Sequence, residues 1–579
     1  MSDVRVEKCG QRGIMGKYCL HFHKLHDCPD CLFDGNAIET SHARGIIIHG
    51  THRATTQDNV LWNVRGAGIY VEDGNEMQNS IKYNVVVCPF PLDDPVHHGC
   101  TLPGTQNPGS DSSLDQSSFY LKSATNDLIG NRAANSFNGM KIDPGAEGAA
   151  AGQVCSNQAA VGRWDGNTLH GHGRFGTYPA GYPRVTDRSV DSNGFNLDRA
   201  QCKGFDSQGS TKGLPVAIVN NVDYDNNFVG QYNVGDVQYK GHASVNNRNL
   251  IYWKETKNFE DGCSAHMSGS HYQNGNLALP DQATFIIEDS YLEDVHLEAN
   301  HHCQVGFTGF MCMPQYIFHN THWHHSGPIW VEFQKGTTNF GGIFSLSPES
   351  ETQLEGSPFP DGYVSLVSSN YSYLLSAPDG DCVSSSDLGL AKRYDGGILC
   401  KKPLRALKIY SRGLKNNSTV PSLLVEAWFN SAGVTSHTSI PASSSQNIAY
   451  HQIGDNVAGN GGAKRQGFSL PVIPSPNVSY RLSLTTGDGS IPHDWVVEFN
   501  DPVVGNRWGV EYLQLELQGR PCGDDGLVSS QHDRRFIFDG VDFLPDNAWG
   551  NHGACVVAES QPQDMPTSTC AGSSDQGKD

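Results

Sequence analysis

Asn36–His49 reads NAIETSHARGIIIH, and Asn59–Glu72 reads NVLWNVRGAGIYVE. Laid over one another at a constant offset of 23 residues, Asn36 matches Asn59, Gly45 matches Gly68, Ile46 matches Ile69 and Ile48 matches Val71. A repeat of this length, with short β-branched runs between Gly and Asn turns, is the pattern of a solenoid. The regular Leu spacing of leucine-rich repeats is absent. The pattern predicts an all-β chain that opens as a right-handed parallel β-helix. Asn is expected at the tight bends because it tolerates left-handed backbone angles.

Further strands are expected at irregular spacing: Phe119–Lys122, Phe137–Ile142, Phe195–Leu197, Val216–Val219, Leu250–Trp253 and Thr284–Ile287. The stretches 89–117 and 144–193, rich in Gly, Pro, Asp and Ser, read as loops leaving the solenoid, where binding surfaces are commonly built. The β-helix is expected over 1–345. A polar, Pro-rich linker follows over 346–360. Alternating strands over 361–556 suggest a β-sandwich-like domain, and 557–579 reads as a disordered tail.

The chain has 579 residues, 64 of them Gly, and a formal charge of -21. That balance argues against nucleic acid as a partner, which requires cationic surface for phosphates. The sequence has no apolar run long enough for a transmembrane segment. Sixteen Cys, scattered along the chain, point to disulfides and an oxidising compartment. Sequons at Asn370, Asn416, Asn417 and Asn477 fit a glycoprotein outside the cell. The opening residues Met-Ser-Asp-Val-Arg-Val read as a strand and not as a signal peptide. Either export takes another route or the natural N-terminus lies elsewhere.

Strand alternation places the chemistry. Leu20 and Phe22, Ile46 and Ile48, Ile69 and Val71, and Phe119 and Leu121 form one apolar face, which must point inward. The opposite face then carries His21 and His23, Ile47 and His49, Tyr70 and Glu72, Tyr120 and Lys122. With coils about 4.8 Å apart, His23, His49, Glu72 and Lys122 form an outward column. His23, His49 and Glu72 have the donor types of a divalent metal site, with Ca or Zn as the ion. Glu72 or Asp73 could instead act as acid and base beside His21, with Lys122 stabilising negative charge. A polar ladder on a solvent-facing sheet is the plain structural alternative.

Other clusters read more simply. Cys28-Pro-Asp-Cys31, next to His26, suits a disulfide better than a zinc site. His97 and His98, His170 and His172, and His322, His324 and His325 read as surface histidines in loops. Trp164, Tyr178 and Tyr182 read as packing groups with sugar stacking as the alternative. Glu288, Asp289, Glu293 and Asp294 form an acidic patch, read as a solvated face or a calcium site.

Gly10-Gln-Arg-Gly, Gly16-Lys-Tyr-Cys-Leu-His-Phe-His23, His49-Gly-Thr51 and Glu72-Asp-Gly-Asn-Glu76 occur in that order. This arrangement resembles the β-helix region of the family that includes the cell-surface hyaluronidase (transmembrane protein 2), the cell-migration-inducing hyaluronan-binding protein and fibrocystin-like proteins. Thr125–Ala134 resembles that family's following coil. Lys17 and Cys19 stand where the family usually has Arg and Pro, and the family's G8 domain is absent from this sequence. The resemblance implies an extracellular or cell-surface protein acting on glycans, with a divalent cation.

These readings combine into a glycan-handling protein whose partner is a polysaccharide or glycoconjugate. Its activity would be that of a hyaluronidase-like glycoside hydrolase, centred on His23, His49 and Glu72, with His21, Asp73, Glu76 and Lys122 around them. A non-catalytic scaffold or adhesion protein is the competing reading, and a polysaccharide lyase a further one. Fold alone decides among none of these.

Overall fold

The computed structural model describes residues 1–12, 14, 16–90, 100, 117–143, 162–179, 216–234, 237–255, 261–269, 275–279, 284–299, 315–333, 343–346, 357–368, 382–411, 422–429, 434–440, 450–454, 464–472, 478–485, 495–499, 526–529 and 534–538. The expected strand Phe195–Leu197, most of both expected loops, the four sequons, His97, His98, Tyr182 and the tail lie outside the described residues.

The chain is all-β and begins as a parallel β-helix, right-handed as parallel crossovers are. Leu20–Asp27, Ile46–His52, Ile69–Val71, Ser117–Leu121 and Asn138–Ile142 are successive neighbours in one parallel sheet of eleven strands. Two further stacks complete each coil. One runs through Leu32–Asp34, Thr55–Gln57 and Ser80–Lys82. The other runs through Arg5–Glu7, Ala37–Glu39, Val60–Trp62 and Val85–Val87. Both stacks end on the single long strand Val237–Val245, so the later coils turn fewer corners.

Register follows the apolar pattern. Leu20 and Phe22 pair with Ile46 and Ile48, these with Ile69 and Val71, and these with Phe119 and Leu121. All eight lie in one core cluster. Burying such a side chain contributes about 1.5–3 kcal/mol, and a slip of one residue would turn the whole set outward. The repeated Gly45 and Gly68 are required by close approach of the coils. A Cβ on Gly45 would stand 2.5 Å from the Gly68 carbonyl oxygen, and one on Gly68 would stand 2.7 Å from that of Ser118.

The repeated asparagines work differently from the sequence expectation. Asn36, Asn59, Asn84, Asn131, Asn167 and Asn221 form a buried ladder inside one corner. The left-handed residue is in each case the one before: Gly35, Asp58, Tyr83, Gly130, Gly166 and Asn220. The ladder residues contribute their amides instead. Asn59 Nδ2 donates to Asn84 Oδ1 at 2.9 Å and to the Phe33 carbonyl at 3.1 Å. Its Oδ1 accepts the backbone N–H and the Nδ2 of Asn36. Every donor and acceptor of the buried amide is thereby used. Insertions lengthen the coils without breaking the ladder: the spacing is 23 residues from Asn36 to Asn59 and 54 from Asn167 to Asn221.

The C-terminal boundary also differs from expectation. Ile343–Leu346 is the last parallel strand of its sheet. Ser365–Val367, Cys382–Ser384 and Ile398–Cys400 then continue that sheet antiparallel, closed by the Cys382–Cys400 disulfide. Residues expected to start the sandwich therefore extend the end of the solenoid. The separate antiparallel sheets comprise six and three strands and begin at Arg405–Ser411 and Ser422–Phe429. Of the expected surface histidines, His172 is instead a core residue. His170, His322 and His324 lie in strands, not loops.

Replacing Asn59 with Ala strands several buried polar groups, among them the Asn36 backbone N–H and the Phe33 carbonyl. At about 1–3 kcal/mol for each, Asn59→Ala should lower unfolding stability in urea by about 3 kcal/mol. A loss below about 0.5 kcal/mol would contradict the ladder's role.

Burial holds His172 well below the ordinary imidazole value of 6.5, at about 3. Its folded value is the lower one, so its contribution to stability is present above pH 6.5. Below 6.5 the unfolded chain takes up a proton that the folded chain refuses, and stability falls towards pH 3. The slope from this one group is about 1.4 kcal/mol per pH unit. His172→Gln should flatten the measured dependence of stability on pH between 6 and 4 by about that amount.

Candidate functional site

His21 and His23 are two residues apart on Leu20–Asp27, so both leave the same outer face of the strand. His49 on the next coil is the register partner of His23. The three rings therefore form a triangle. Ring centroids are 4.9 Å apart for His21–His23, 4.8 Å for His23–His49 and 5.8 Å for His21–His49. One ring nitrogen from each lies within 4.8 Å of the other two.

The histidines are held differently. His21 Nε2 is buried and has no hydrogen-bond partner, while the backbone of Gly16 bonds to the ring. Burial, then the neighbouring His23 and His49, lowers its pKa to about 4. Its imidazole is therefore neutral at pH 7 and carries a lone pair. His49 lies between two carboxylates: its Nδ1 is 3.5 Å from Glu72 Oε2 and its Nε2 is 3.0 Å from Asp73 Oδ2. His23 is exposed.

Glu72 follows directly after Ile69–Val71 and takes the next place in the column, its backbone N–H bonded to the Ile48 carbonyl. Its carboxylate accepts a hydrogen bond from Tyr18 Oη at 3.0 Å, and Arg44 Nη1 lies 3.9 Å away. Arg44 also donates to Tyr18 Oη at 3.1 Å and lies 4.3 Å above the Tyr70 ring. Lys122 completes the expected column, bonded through its N–H to the Val71 carbonyl, with its ammonium 6.0 Å from the centre of the same Tyr70 ring. The expected order His23, His49, Glu72, Lys122 along the sheet is present. Contacts among ligand-type nitrogens, however, join His21 to His23 and His49, whereas Glu72 is engaged by Tyr18, Arg44 and His49.

Two parts of the outer face depart from expectation. Ile47, Tyr70 and Tyr120 point away from the main core yet are only 0%, 4% and 1% exposed. With Ala67 and the partly buried Tyr18 they form a second apolar cluster. The accessible polar groups are thus narrowed to the His21, His23 and His49 corner and the turn after it. Glu76 turns inward. Its Oε1 accepts the N–H groups of Gly50 and Asp73, and its Oε2 that of Gly74. Burial raises its carboxyl pKa against the pull of those N–H groups. Glu76 thereby ties the turn bearing Glu72 and Asp73 to the turn after His49.

Tyr18 and Arg44 were missed by sequence reasoning. Tyr18 lies inside the quoted stretch Gly16–His23, but no strand alternation reaches it. Arg44 precedes its strand by two residues and shows no pattern of its own. Of the other candidates, Cys28 and Cys31 form a disulfide. Trp164 is a core residue whose indole N–H bonds to the Asn126 carbonyl. Tyr178 packs on Phe175 with ring centroids 4.4 Å apart.

With this geometry in view, comparison with known proteins is direct. Residues 1–177 match the family model CEMIP beta-helix. Over these residues the chain is similar to that β-helix family, as the motifs from Gly10 to Glu76 imply. The chain is similar to protein rliB of Dictyostelium discoideum, with 30% identity over 180 residues, 30% of this chain and 16% of that protein. It is similar to fibrocystin-L of Mus musculus, with 26% identity over 180 residues, 30% of this chain and 4% of that protein. The chain thus spans a small part of the length of these relatives. Among solved structures, a tailspike protein of E. coli bacteriophage HK620 superposes over 78% of this chain and 68% of its own, at TM-score 0.28 and 7% identity. So loose a superposition carries no argument. Among the described residues, no helix is long and apolar enough to cross a membrane.

Glu76→Ala removes the acceptor of three backbone N–H groups at once. The variant should lose about 3 kcal/mol of stability and release Asp73 from His49. In a double-mutant cycle read by urea unfolding, the effects of His49→Ala and Asp73→Asn, coupled in the parent chain, should become additive in the Glu76→Ala background. Coupling that persists in the Glu76→Ala background would show that the turn is held by other contacts.

Proposed function

We propose that this is an extracellular or cell-surface glycan-handling protein whose β-helix bears a hydrolytic site at His21, His23, His49, Glu72 and Asp73. The observation carrying the proposal is His49 held between two carboxylates beside two further imidazoles, on the outer face of coils matching the CEMIP beta-helix family. Hydrolysis of a glycosidic bond requires a proton donor for the leaving oxygen and a base for water, with paired carboxyl groups in the usual solution. Here the two carboxylates have different surroundings. Glu72 is fixed in place by the Tyr18 hydroxyl and by Arg44, which suits it to face positive charge developing on the sugar. Asp73 is more exposed and bonds His49 directly, so the Asp73–His49 pair is the candidate for moving the proton.

Arg44 and Lys122 lie beside the same Tyr70 ring. They offset the Glu72 and Asp73 carboxylates of the same corner, so an acidic sugar would meet less repulsion there than elsewhere on a chain of net charge -21. Disulfides Cys9–Cys19, Cys28–Cys31, Cys88–Cys100 and Cys382–Cys400 support an oxidising, exterior compartment.

Incubation with a panel of neutral and acidic polysaccharides, followed by sizing and end-group analysis, tests the proposal. Shortened chains with new reducing ends and no unsaturated uronate are expected, and His49→Ala or Asp73→Asn should slow their release about 100-fold or more. Unsaturated ends would assign lyase chemistry. Binding without shortening would assign a scaffold.

A further inference from the structure

The column read from sequence places His23, His49 and Glu72 together as metal ligands. The side chains select a different set. His21 Nε2 is a buried nitrogen without a hydrogen-bond partner, and it belongs to the only group of three ligand-type residues within 4.8 Å found among the described residues. Glu72 is already bonded to Tyr18 and faces Arg44. We propose that His21, His23 and His49 form a three-imidazole site for a divalent cation of the zinc class, and that calcium is not its ion.

The donor chemistry decides the ion. Calcium takes about six to eight oxygen ligands, whereas imidazole nitrogens suit zinc and its first-row neighbours. Three protein ligands with a fourth position left open is the arrangement of a site that engages water or substrate, whereas structural zinc sites are closed by four. A bound ion of this class would supply Lewis acidity and a water of lowered pKa.

The chain supplies the supporting shell as well. The Gly16 backbone bonds to the His21 ring, and because Nε2 is unpartnered, that bond falls to Nδ1. The ring is thereby fixed with Nε2 turned to the cluster. Asp73 lies 3.0 Å from His49 Nε2 and can orient the ring, so the coordinating nitrogen is Nδ1, which Glu72 approaches only to 3.5 Å. A carboxylate behind the ring is the usual arrangement around a metal-bound histidine. Tyr18 stands edge-on to His21 with ring centroids 5.3 Å apart, which closes one side of the triangle.

This inference concerns the same corner as the proposed hydrolytic site, but its readout is metal itself and not turnover. The full chain, stripped with chelator, is titrated with cobalt(II) and followed by its visible absorption, with zinc(II) and calcium(II) as competitors. One cobalt per chain is expected, displaced by stoichiometric zinc and not by millimolar calcium. His21→Ala, His23→Ala and His49→Ala should each weaken binding at least 10-fold, and Asp73→Asn should weaken it about 10-fold. His42→Ala, at an exposed histidine in the bend before Ile46–His52 and outside the cluster, should leave it unchanged. Because His23 is exposed, His23→Ala keeps the core intact, and circular dichroism of each variant checks folding.

Undiminished cobalt binding in the triple histidine variant, no binding by the parent chain, or displacement by calcium would overturn the assignment. Metal binding without glycan cleavage would leave this site standing and remove the hydrolytic reading. Cleavage by a chain that binds no cobalt would do the reverse.

Discussion

An asparagine amide carries two donors and an acceptor with two lone pairs, and in a dry interior all of them must be matched. In the interior rungs of the ladder from Asn36 to Asn221 they are matched by another asparagine directly above and below. The rungs from Asn36 to Asn167 also hold a backbone carbonyl of the coil before, as Asn59 holds that of Phe33 and Asn84 that of Thr56. Vertical alignment at this corner is therefore strongly specified. It fixes where the following strands begin, and so which side chains point in and which point out. The three-histidine corner is one consequence of that alignment.

The site also depends on a second buried polar group, Glu76. Without it the turn carrying Glu72 and Asp73 would have to find other partners for three N–H groups. With it, the turn is joined to Gly50, the residue after His49. The site is thus built on rigid elements from three successive coils. Its carboxylates are positioned by hydrogen bonds that take no part in any chemistry, which is the general requirement for precise functional sites.

Much of this was readable from sequence, for identifiable reasons. The match of Asn36–His49 with Asn59–Glu72 gave the coil repeat, because strand periodicity and Gly spacing are local properties. The inward face from Leu20 to Leu121 and the outward placement of His21, His23 and His49 followed from alternation alone. What alternation could not show was lateral reach. His21 joins His23 and His49 because rings two residues apart meet across a strand, while Glu72 turns to Tyr18 and Arg44. Burial on the outer face was equally hidden: Ile47, Tyr70 and Tyr120 look exposed by parity but are covered. The asparagine reading holds for Asn63, Asn135, Asn220, Asn246 and Asn320, which do take left-handed backbone angles, but not for the ladder asparagines, where the left-handed backbone belongs to the predecessor. The boundary near residue 361 failed because short strands that close a solenoid and short strands that open a sandwich have the same pattern.

The central claim is that His23 and His49 are direct neighbours on adjacent coils, with Glu72 one coil further on. Cysteine cross-linking tests it most directly. Adjacent parallel strands lie about 4.8 Å apart, within the span of a disulfide, and strands two coils apart do not. In the double variant His23→Cys with His49→Cys, peptide mapping by mass spectrometry should find the new disulfide after mild oxidation, and none in His23→Cys with Glu72→Cys. A bond in the second pair, or none in the first, would contradict the register on which the site is built.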